Sequence, residues 1–522
     1  MPAEPLTPAA LRAARDAVVQ ALTVEPLTRL IDFVAYPQGD GPERTVVVVN
    51  RDGASRLEAD GSHTVLAGRD PVAWTDPMAF LPYDVECADP SPDNERNAYP
   101  EPGRRLRSLF DDPTRSPDLV VVHAPRHYFP DEGGHRGEHG SLDVVQSRAP
   151  FLLSGAGVSR RGMIADHARI LDVTPTLLLA AGVDGAAAGV DGAAAGVDGT
   201  AVGLGARADM PPMEGRARAD LAGPGAPHVM GLLWDGAHCS DLLALAAAGE
   251  LPGVARLLDQ GLALTGGAVA EFPSVTLCNH TSALTGVGPG RHGVIGNVFF
   301  DRATGERVVP NDASTWHRSA EWLRPGIATV FERLTASRPD ARTACVNEAV
   351  DRGARYSTMQ VIRASGGSRG AAGLEDALPD AAGSPYVGNR DHLDDDYYRW
   401  SSRVDDAGLT QMLTLWESQP NAPQLTWWAT VVTDAGHHAG GPRSRIARDS
   451  LRDADRRLQA FLEHLDRLGV VNDVAFLLTA DHGFETADEA VTGSWRSALE
   501  GALGPLGVSY RDEGPGFVYL GC

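Results

Sequence analysis

The sequence predicts an α/β fold with a central, mostly parallel sheet sandwiched by helices. Three observations predict it. Apolar runs of strand length alternate with helical patterns, as strands buried on both faces do. Three of those runs end in an aspartate, Asp235, Asp434 and Asp481, at the place where open parallel sheets bind ligands. The chain has 522 residues and is 43% hydrophobic, enough for a large core and too much for wholesale disorder.

Taken in order, MPAEPLTPAALRAARDAVVQ reads as an amphipathic helix. It lacks the basic-then-apolar pattern of a secretory leader, so a cytoplasmic protein is expected. Arg44 to Asn50, Asp118 to His123 and Pro150 to Ser154 read as strands. Ile170 to Ala181 reads as a helix interrupted early by Pro175. The unit GVDGAAA then begins at Gly182, recurs at Gly189 and starts again at Gly196. Its Gly and Asp offer no apolar coiled-coil seam, so residues 182–226 read as a low-complexity linker between segments 1–181 and 227–522. Beyond it, His228 to Trp234 is a strand and Ser240 to Gln260 is helical. Leu425 to Thr433 is a second apolar run, Ser444 to Leu468 a long helix, and Val474 to Ala480 a third run. The turn-rich stretch at about 295–400 reads as a cap insertion.

Composition narrows the function. Acidic residues outnumber basic ones by 69 to 46, a net charge of −23, which argues against nucleic-acid binding. An anionic substrate is still admissible where metal ions invert the local field. The chain contains no lysine, which excludes a Walker-type phosphate lysine and a Schiff base. Cys87, Cys239, Cys278, Cys345 and Cys522 form no CxxC pair, as in a reducing compartment. The apolar runs are too short to cross a membrane.

The chemistry-bearing residues cluster at the predicted strand ends. Carboxylates brought to one crevice repel, and such a cluster calls for a cation. After Asp434 the chain reads DAGHHAGGP, and after Ala480 it reads DHGFE, so His437, His438 and His482 join the aspartates. Asp with His is a zinc-type ligand set. Thr276 opens a helix-like stretch within FPSVTLCNHTSALTGVGPGRHGVIGN, from Phe272 to Asn297. A hydroxyl there is either a plain N-cap or a nucleophile held where anions are favoured.

Together these segments resemble the nucleotide pyrophosphatase/phosphodiesterase branch of the alkaline phosphatase superfamily. Asp235-Gly236 is similar to its first metal motif, Thr276 to Asn297 to its nucleophile segment, Asp434 with His438 to its D-x-x-x-H motif, and Asp481-His482-Gly483 to its D-H-G motif. The resemblance implies two divalent metal ions, zinc first and manganese as a substitute. One would be held by Asp235, Asp481 and His482 with Thr276 as ligand and nucleophile, the other by Asp434, His438 and one further histidine. It implies Asn279 beside a nonbridging phosphate oxygen. The family's last histidine lies downstream of D-H-G, but no histidine follows Gly483 here. The segment GGHRGEHGS, Gly133 to Ser141, supplies it from the other end of the chain. That implies a circularly permuted order with His139 as the ligand and His135 as the alternative. His437 is expected to face solvent, and His280 and His292 to be structural.

The implied activity is hydrolysis of phosphodiester or nucleotide pyrophosphate bonds, on a small-molecule phosphate ester or nucleotide, through a phosphothreonine. The alternatives are a phosphomonoesterase or phosphonate hydrolase of the same superfamily and, from another class, an inactive metal- or nucleotide-binding protein. A sulfatase is not expected, because Cys278 is followed by Asn-His-Thr rather than C-x-P-x-R. His139 could complete its own chain's site or a neighbour's.

Overall fold

The protein is described from a computed structural model, which covers residues 6–39, 41–73, 99–130, 133–183, 211–367, 376, 378–417, 422–514 and 516–522. Eight strands form the central sheet. Their order is Tyr356–Ser357, Thr343–Val346, Leu425–Thr430, His228–Trp234, Val474–Thr479, Phe151–Gly155, Gly261–Leu264 and Gly162–Ile164. His228–Trp234 runs parallel to both its neighbours, with Trp234 opposite Thr430 and Leu233 opposite Thr479. Leu425–Thr430 and Val474–Thr479 are buried along their whole length, and His228–Trp234 from its second residue on. This is why they read as continuous apolar runs rather than alternating ones.

Helices Pro252–Asp259, Asp396–Leu415 and Arg445–Leu468 pack together on this sheet, as do Val173–Ala180, Thr276–Thr285 and Val330–Ser337. The resulting core runs from Ala149 to Ala480. Phe151–Gly155 is antiparallel to both its neighbours, Val474–Thr479 and Gly261–Leu264. The upstream segment therefore enters the middle of the sheet against the common direction.

A second sheet of seven antiparallel strands was not anticipated as a separate layer. Its order is Tyr510–Glu513, Phe517–Leu520, Leu119–His123, Ile31–Gln38, Thr45–Asn50, Gly53–Leu57 and His63–Gly68. The strands expected at Arg44 to Asn50 and Asp118 to His123 lie here, not in the parallel sheet. Alternate residues face two clusters. Phe33, Val120 and Tyr519 pack toward Leu106 and Phe299, while Val34, Val121 and Val518 pack on helices Pro8–Leu22 and Arg496–Leu503.

Three sequence readings need correction. The run Leu425 to Thr433 is not one strand: the strand stops at Thr430, and Val432–Gly440 is a helix. Its first amides, Val431 N and Val432 N, are capped by the Asp405 carboxylate, both at 3.0 Å. A cap supplied from another helix leaves no local signal. The cap expected at 295–400 is narrower, because Thr343–Val346 pairs with Leu425–Thr430 in the central sheet. The linker is also narrower than 182–226. Its repeat falls largely on 184–210, outside the described residues, but Met213, Leu221 and Ala222 are buried, and Glu214 accepts from Gly288 N and Arg291. Among the described residues no helix is long and apolar enough to cross a membrane.

Candidate active site

The parallel register brings the carboxyl ends of three central strands side by side. Asp235 follows His228–Trp234 directly, and Asp481 follows Val474–Thr479 by one residue. Gly236 N donates to Asp481 Oδ1 at 2.9 Å. Gly236 has φ +60°, and a Cβ there would meet Phe484 at 2.3 Å and Asp434 Oδ1 at 2.8 Å, so only glycine lets this turn pass between those side chains. Asp434 stands in the first turn of Val432–Gly440, with His438 one helical turn on and its Nε2 3.6 Å from Asp434 Oδ2. DAGHHAGG is therefore a helix face rather than a glycine-rich turn.

Ligand-type atoms of Asp235, Asp481 and His482 lie within 4.8 Å of one another, as do those of His139, Asp434 and His482. His482 Nε2 is 3.2 Å from Asp481 and 3.8 Å from Asp235. His139 stacks on His482 with ring centroids 3.7 Å apart. His135 is drawn instead toward His438 and Glu138. Three imidazoles bond backbone carbonyls through Nδ1: His139 to Ser274 at 2.9 Å, His438 to Gly137 at 3.0 Å, and His482 to Gly483 at 3.0 Å. A carbonyl only accepts, so Nδ1 carries the proton and Nε2 presents its lone pair.

The buried polar atoms test whether metal ions fit. Asp235 Oδ1, Asp434 Oδ1, Asp481 Oδ2 and His482 Nε2 are buried without a hydrogen bond, although such atoms ordinarily have a partner. Burial, then Asp481 and Asp434, push the Asp235 carboxyl well above the usual carboxylate range. Burial also raises Asp481, but His482 and His280 outweigh it and hold that carboxyl low. Burial, then the neighbouring imidazoles, keep His139 and His438 well below the ordinary histidine value, in the neutral form a ligand needs. Carboxylate oxygens and neutral imidazole nitrogens converging without partners are a donor set that divalent metals fit.

Thr276 is the first residue of helix Thr276–Thr285 and lines the same cavity as Asp235, Asp434, His139 and His438. The helix is buried from Leu277 to Thr285, and Thr281 and Thr285 satisfy their hydroxyls on the carbonyls of Leu277 and Thr281, each at 2.6 Å. Thr276 Oγ1 makes no such bond among the described residues and stays open to the cavity.

A model of the type I phosphodiesterase/nucleotide pyrophosphatase family matches residues 229–506. The chain belongs to that family. A segment of 55 residues is 38% identical to ectonucleotide pyrophosphatase/phosphodiesterase 2 of Saccharomyces cerevisiae, covering 10% of this chain and 11% of the relative. Murine ectonucleotide pyrophosphatase/phosphodiesterase 5 aligns over 50% of this chain and 59% of its own, at 15% identity and a TM-score of 0.35. Phosphonoacetate hydrolase from Sinorhizobium meliloti aligns over 49% and 56%, at 23% identity and a TM-score of 0.32. The chain thus spans about a ninth of the yeast relative and less than two thirds of either structure.

Within this family member, three residues sit otherwise than the sequence suggested. Asn279 does not face the site. It is fully buried, its Oδ1 accepts from Glu271 N at 2.6 Å, and its Nδ2 donates to Pro273 O and Val275 O at 3.0 and 3.1 Å. The asparagine of this segment that lines the cavity beside Thr276 is Asn297, whose Oδ1 accepts from Leu277 N at 2.9 Å. His437 is fully buried rather than solvent-facing, bonded to Thr433 O and stacked on Phe484. His280 is at the site. Its Nε2 lies 3.5 Å from Asp481 and 3.7 Å from Asp235, and its Nδ1 bonds Glu348, which also accepts from Trp427 Nε1. Burial lowers the affinity of His280 for a proton, but Glu348 and Asp481 outweigh it and raise its pKa well above the ordinary value. His292 bonds Ser282 inside the fold, as a structural histidine does. His280 and Asn297 both occur in the segment around Thr276; what singles them out is the direction each takes from a helix or loop, which spacing does not encode.

Proposed function

We infer that this chain hydrolyses phosphate esters, in the first place phosphodiester or nucleotide pyrophosphate bonds, with two divalent metal ions and Thr276 as nucleophile. The observation that carries this reading is the set of buried, unpartnered oxygens and nitrogens of Asp235, Asp434, Asp481 and His482 beside an open Thr276 hydroxyl. Asp235, Asp481 and His482, with Thr276, would hold one ion. Asp434, His438 and His139 would hold the other. Zinc suits these donors best, and manganese is the natural substitute. Such ions neutralise phosphate charge and make a hydroxyl or a water nucleophilic at neutral pH.

The chain's own groups then have defined tasks. Thr276 Oγ1 loses its proton and attacks phosphorus, forming the Oγ1–P bond as the bond to the leaving oxygen breaks. Water cleaves the phosphothreonine, and the hydroxyl regains a proton. Leu277 N is spent on Asn297 Oδ1, which leaves Asn297 Nδ2 as the donor for a nonbridging oxygen that gathers charge. His280, oriented by its Nδ1 bond to Glu348, sets its Nε2 3.5 Å from Asp481 and 3.7 Å from Asp235.

The same reading takes residues 1–181 as the family's usual C-terminal part moved in front of 227–522. Two observations support it. The family match lies entirely downstream of the repeat, while Phe151–Gly155 and His139 come from upstream of it. Such rearrangements are tolerated at exposed sites.

The test is hydrolysis of a p-nitrophenyl nucleotide diester against p-nitrophenyl phosphate, with zinc and after chelation. Chelator-sensitive turnover that prefers the diester is the expected result. Preference for the monoester keeps the mechanism and changes the substrate. No turnover of either by folded, zinc-loaded protein sinks the hydrolase reading and leaves a binding role.

A further inference from the structure

The cavity that opens on Thr276 has a volume of about 630 Å³, within the range of sites for drug-sized ligands. Its floor is the cluster of carboxylates and imidazoles. Its walls have another character. Trp316, Met359, Ile362, Leu378, Trp400 and Val404 line it, and among the described residues no lining side chain other than the histidines at the floor can carry a positive charge.

The polar groups in the wall are already engaged with one another. Tyr356 Oη and Thr358 Oγ1 both donate to Gln411 Oε1, at 2.8 and 2.7 Å, and Gln411 Nε2 returns to Ala407 O. Asn311 Oδ1 accepts from Trp316 Nε1, and Asn347 Nδ2 donates to Val404 O. A ligand therefore meets aromatic and aliphatic surface. Trp316 and Trp400 stand 5.5 Å apart between ring centroids, with Tyr397 stacked on Trp400 at 6.2 Å. Tyr397 Oη donates to Asp434 at 2.8 Å, which ties the apolar wall to the floor. Val361 and Tyr397, at 42% and 39% exposure, are two of the few large apolar side chains left open to solvent, and both border this cavity. Large exposed apolar groups gathered at one opening mark a binding surface.

We propose that the substrate carries, on its phosphate, a large uncharged apolar group, alkyl or aryl, seated between Trp316, Trp400 and Ile362. This rests on the phosphate-ester reading above. A nucleoside polyphosphate fits the described wall less well, because among the described residues its remaining phosphates would meet no cation beyond the floor histidines, and its base edges would meet amides already bonded at one end or both.

The experiment compares methyl, octyl and thymidine-5′ esters of p-nitrophenyl phosphate with the zinc-loaded full chain. Each methylene fully buried is worth roughly a fourfold gain, so kcat/KM for the octyl ester should exceed that for the methyl ester by about tenfold or more and exceed that for the thymidine ester. Trp400→Ala should lower the octyl-to-methyl ratio, and Ala407→Phe, which fills the cavity from helix Asp396–Leu415, should lower it too. Equal kcat/KM for methyl and octyl esters overturns the proposal while the hydrolase reading stands. A clear preference for the thymidine ester also overturns it and makes the cavity a nucleoside site. Tryptophan fluorescence titrated with octylphosphonate and methylphosphonate separates the two failures. Octylphosphonate binding about tenfold tighter, in a protein that cleaves none of the esters, supports the apolar site and removes the hydrolase reading. Equal weak binding of both removes the apolar site.

Discussion

The two sheets divide the work unequally. The strand ends that carry Asp235 and Asp481 belong to the eight-stranded, mostly parallel sheet, whose central strands are buried on both faces. The seven-stranded antiparallel sheet contributes no strand residue to the site. Yet the segment carrying His139 leaves Leu119–His123 of the second sheet and returns as Phe151–Gly155 in the middle of the first. A parallel sheet gathers chemistry at one edge because all its carboxyl ends point the same way. The antiparallel sheet supplies a wall against which one ligand-bearing loop is set.

The sharpest break of this contrast lies on the parallel side. Thr276→Ala should reduce turnover by about 10³-fold or more with a melting temperature close to that of the parent, because Thr276 Oγ1 makes no hydrogen bond that stabilises the fold. Calorimetry and steady-state kinetics on one preparation check both halves.

The next largest effect tests the bridging loop. His139→Ala should lower activity by about 10²-fold or more and weaken zinc retention in a chelator competition, since one of the ligand nitrogens is gone. Unchanged activity would remove His139 from the site, although Phe151–Gly155 still joins the central sheet. Mixing inactive His139→Ala and Thr276→Ala proteins should restore nothing if the site is completed within one chain; partial recovery would mean exchange between neighbours.

A finer comparison sets two asparagines from one segment against each other. Asn297→Ala should cost about 10²-fold in kcat at little change in stability. Asn279→Ala should cost about 1–3 kcal/mol of stability by stranding buried backbone groups and leave kcat of the folded protein alone. The reverse outcome would restore Asn279 to the role its place in the sequence suggested.

The smallest effect lies in the antiparallel sheet. Asp32, half-buried on strand Ile31–Gln38 and accepting from Tyr99 Oη at 2.6 Å, is pushed up to about 7, chiefly by desolvation of its carboxyl. Its folded value lies above its unfolded one, so between about pH 4 and pH 7 the unfolded chain has released a proton that the folded chain keeps. Stability should therefore fall as pH rises through that window, by on the order of a few kcal/mol. Asp32→Asn should flatten that part of the profile, measured by denaturant unfolding at pH 5 and pH 8.

How much of this was legible in the sequence follows from what sequence patterns record. Asp235 and Asp481 were readable because a fully buried strand leaves a continuous apolar run and its end is marked by the first charge. Asp434 was placed at the wrong kind of element. The apolar run passes without a break from strand to helix across Val431, and the capping Asp405 lies in another helix. Apolar periodicity over so short a stretch does not separate a buried strand from a buried helix. His437 was misjudged for a related reason: a histidine beside glycines reads as exposed, whereas here it packs on Phe484, a partner distant in sequence. Asn279 is turned into the core by its helix, whereas Asn297 reaches the cavity from the bend before Phe299–Asp301, and spacing records neither direction. The second sheet stayed hidden because it joins both ends of the chain, with Phe517–Leu520 pairing to Leu119–His123.

Phe151–Gly155 is held by a ladder on each side, to Val474–Thr479 and to Gly261–Leu264. A chain cut anywhere within 184–210 would part His139 from every other candidate ligand while leaving both ladders to be re-formed between two pieces. Neither piece alone would hold a full set of metal ligands. If the proposed activity holds, a chain divided there would act as a split enzyme, in which catalysis reports directly on the meeting of two fragments.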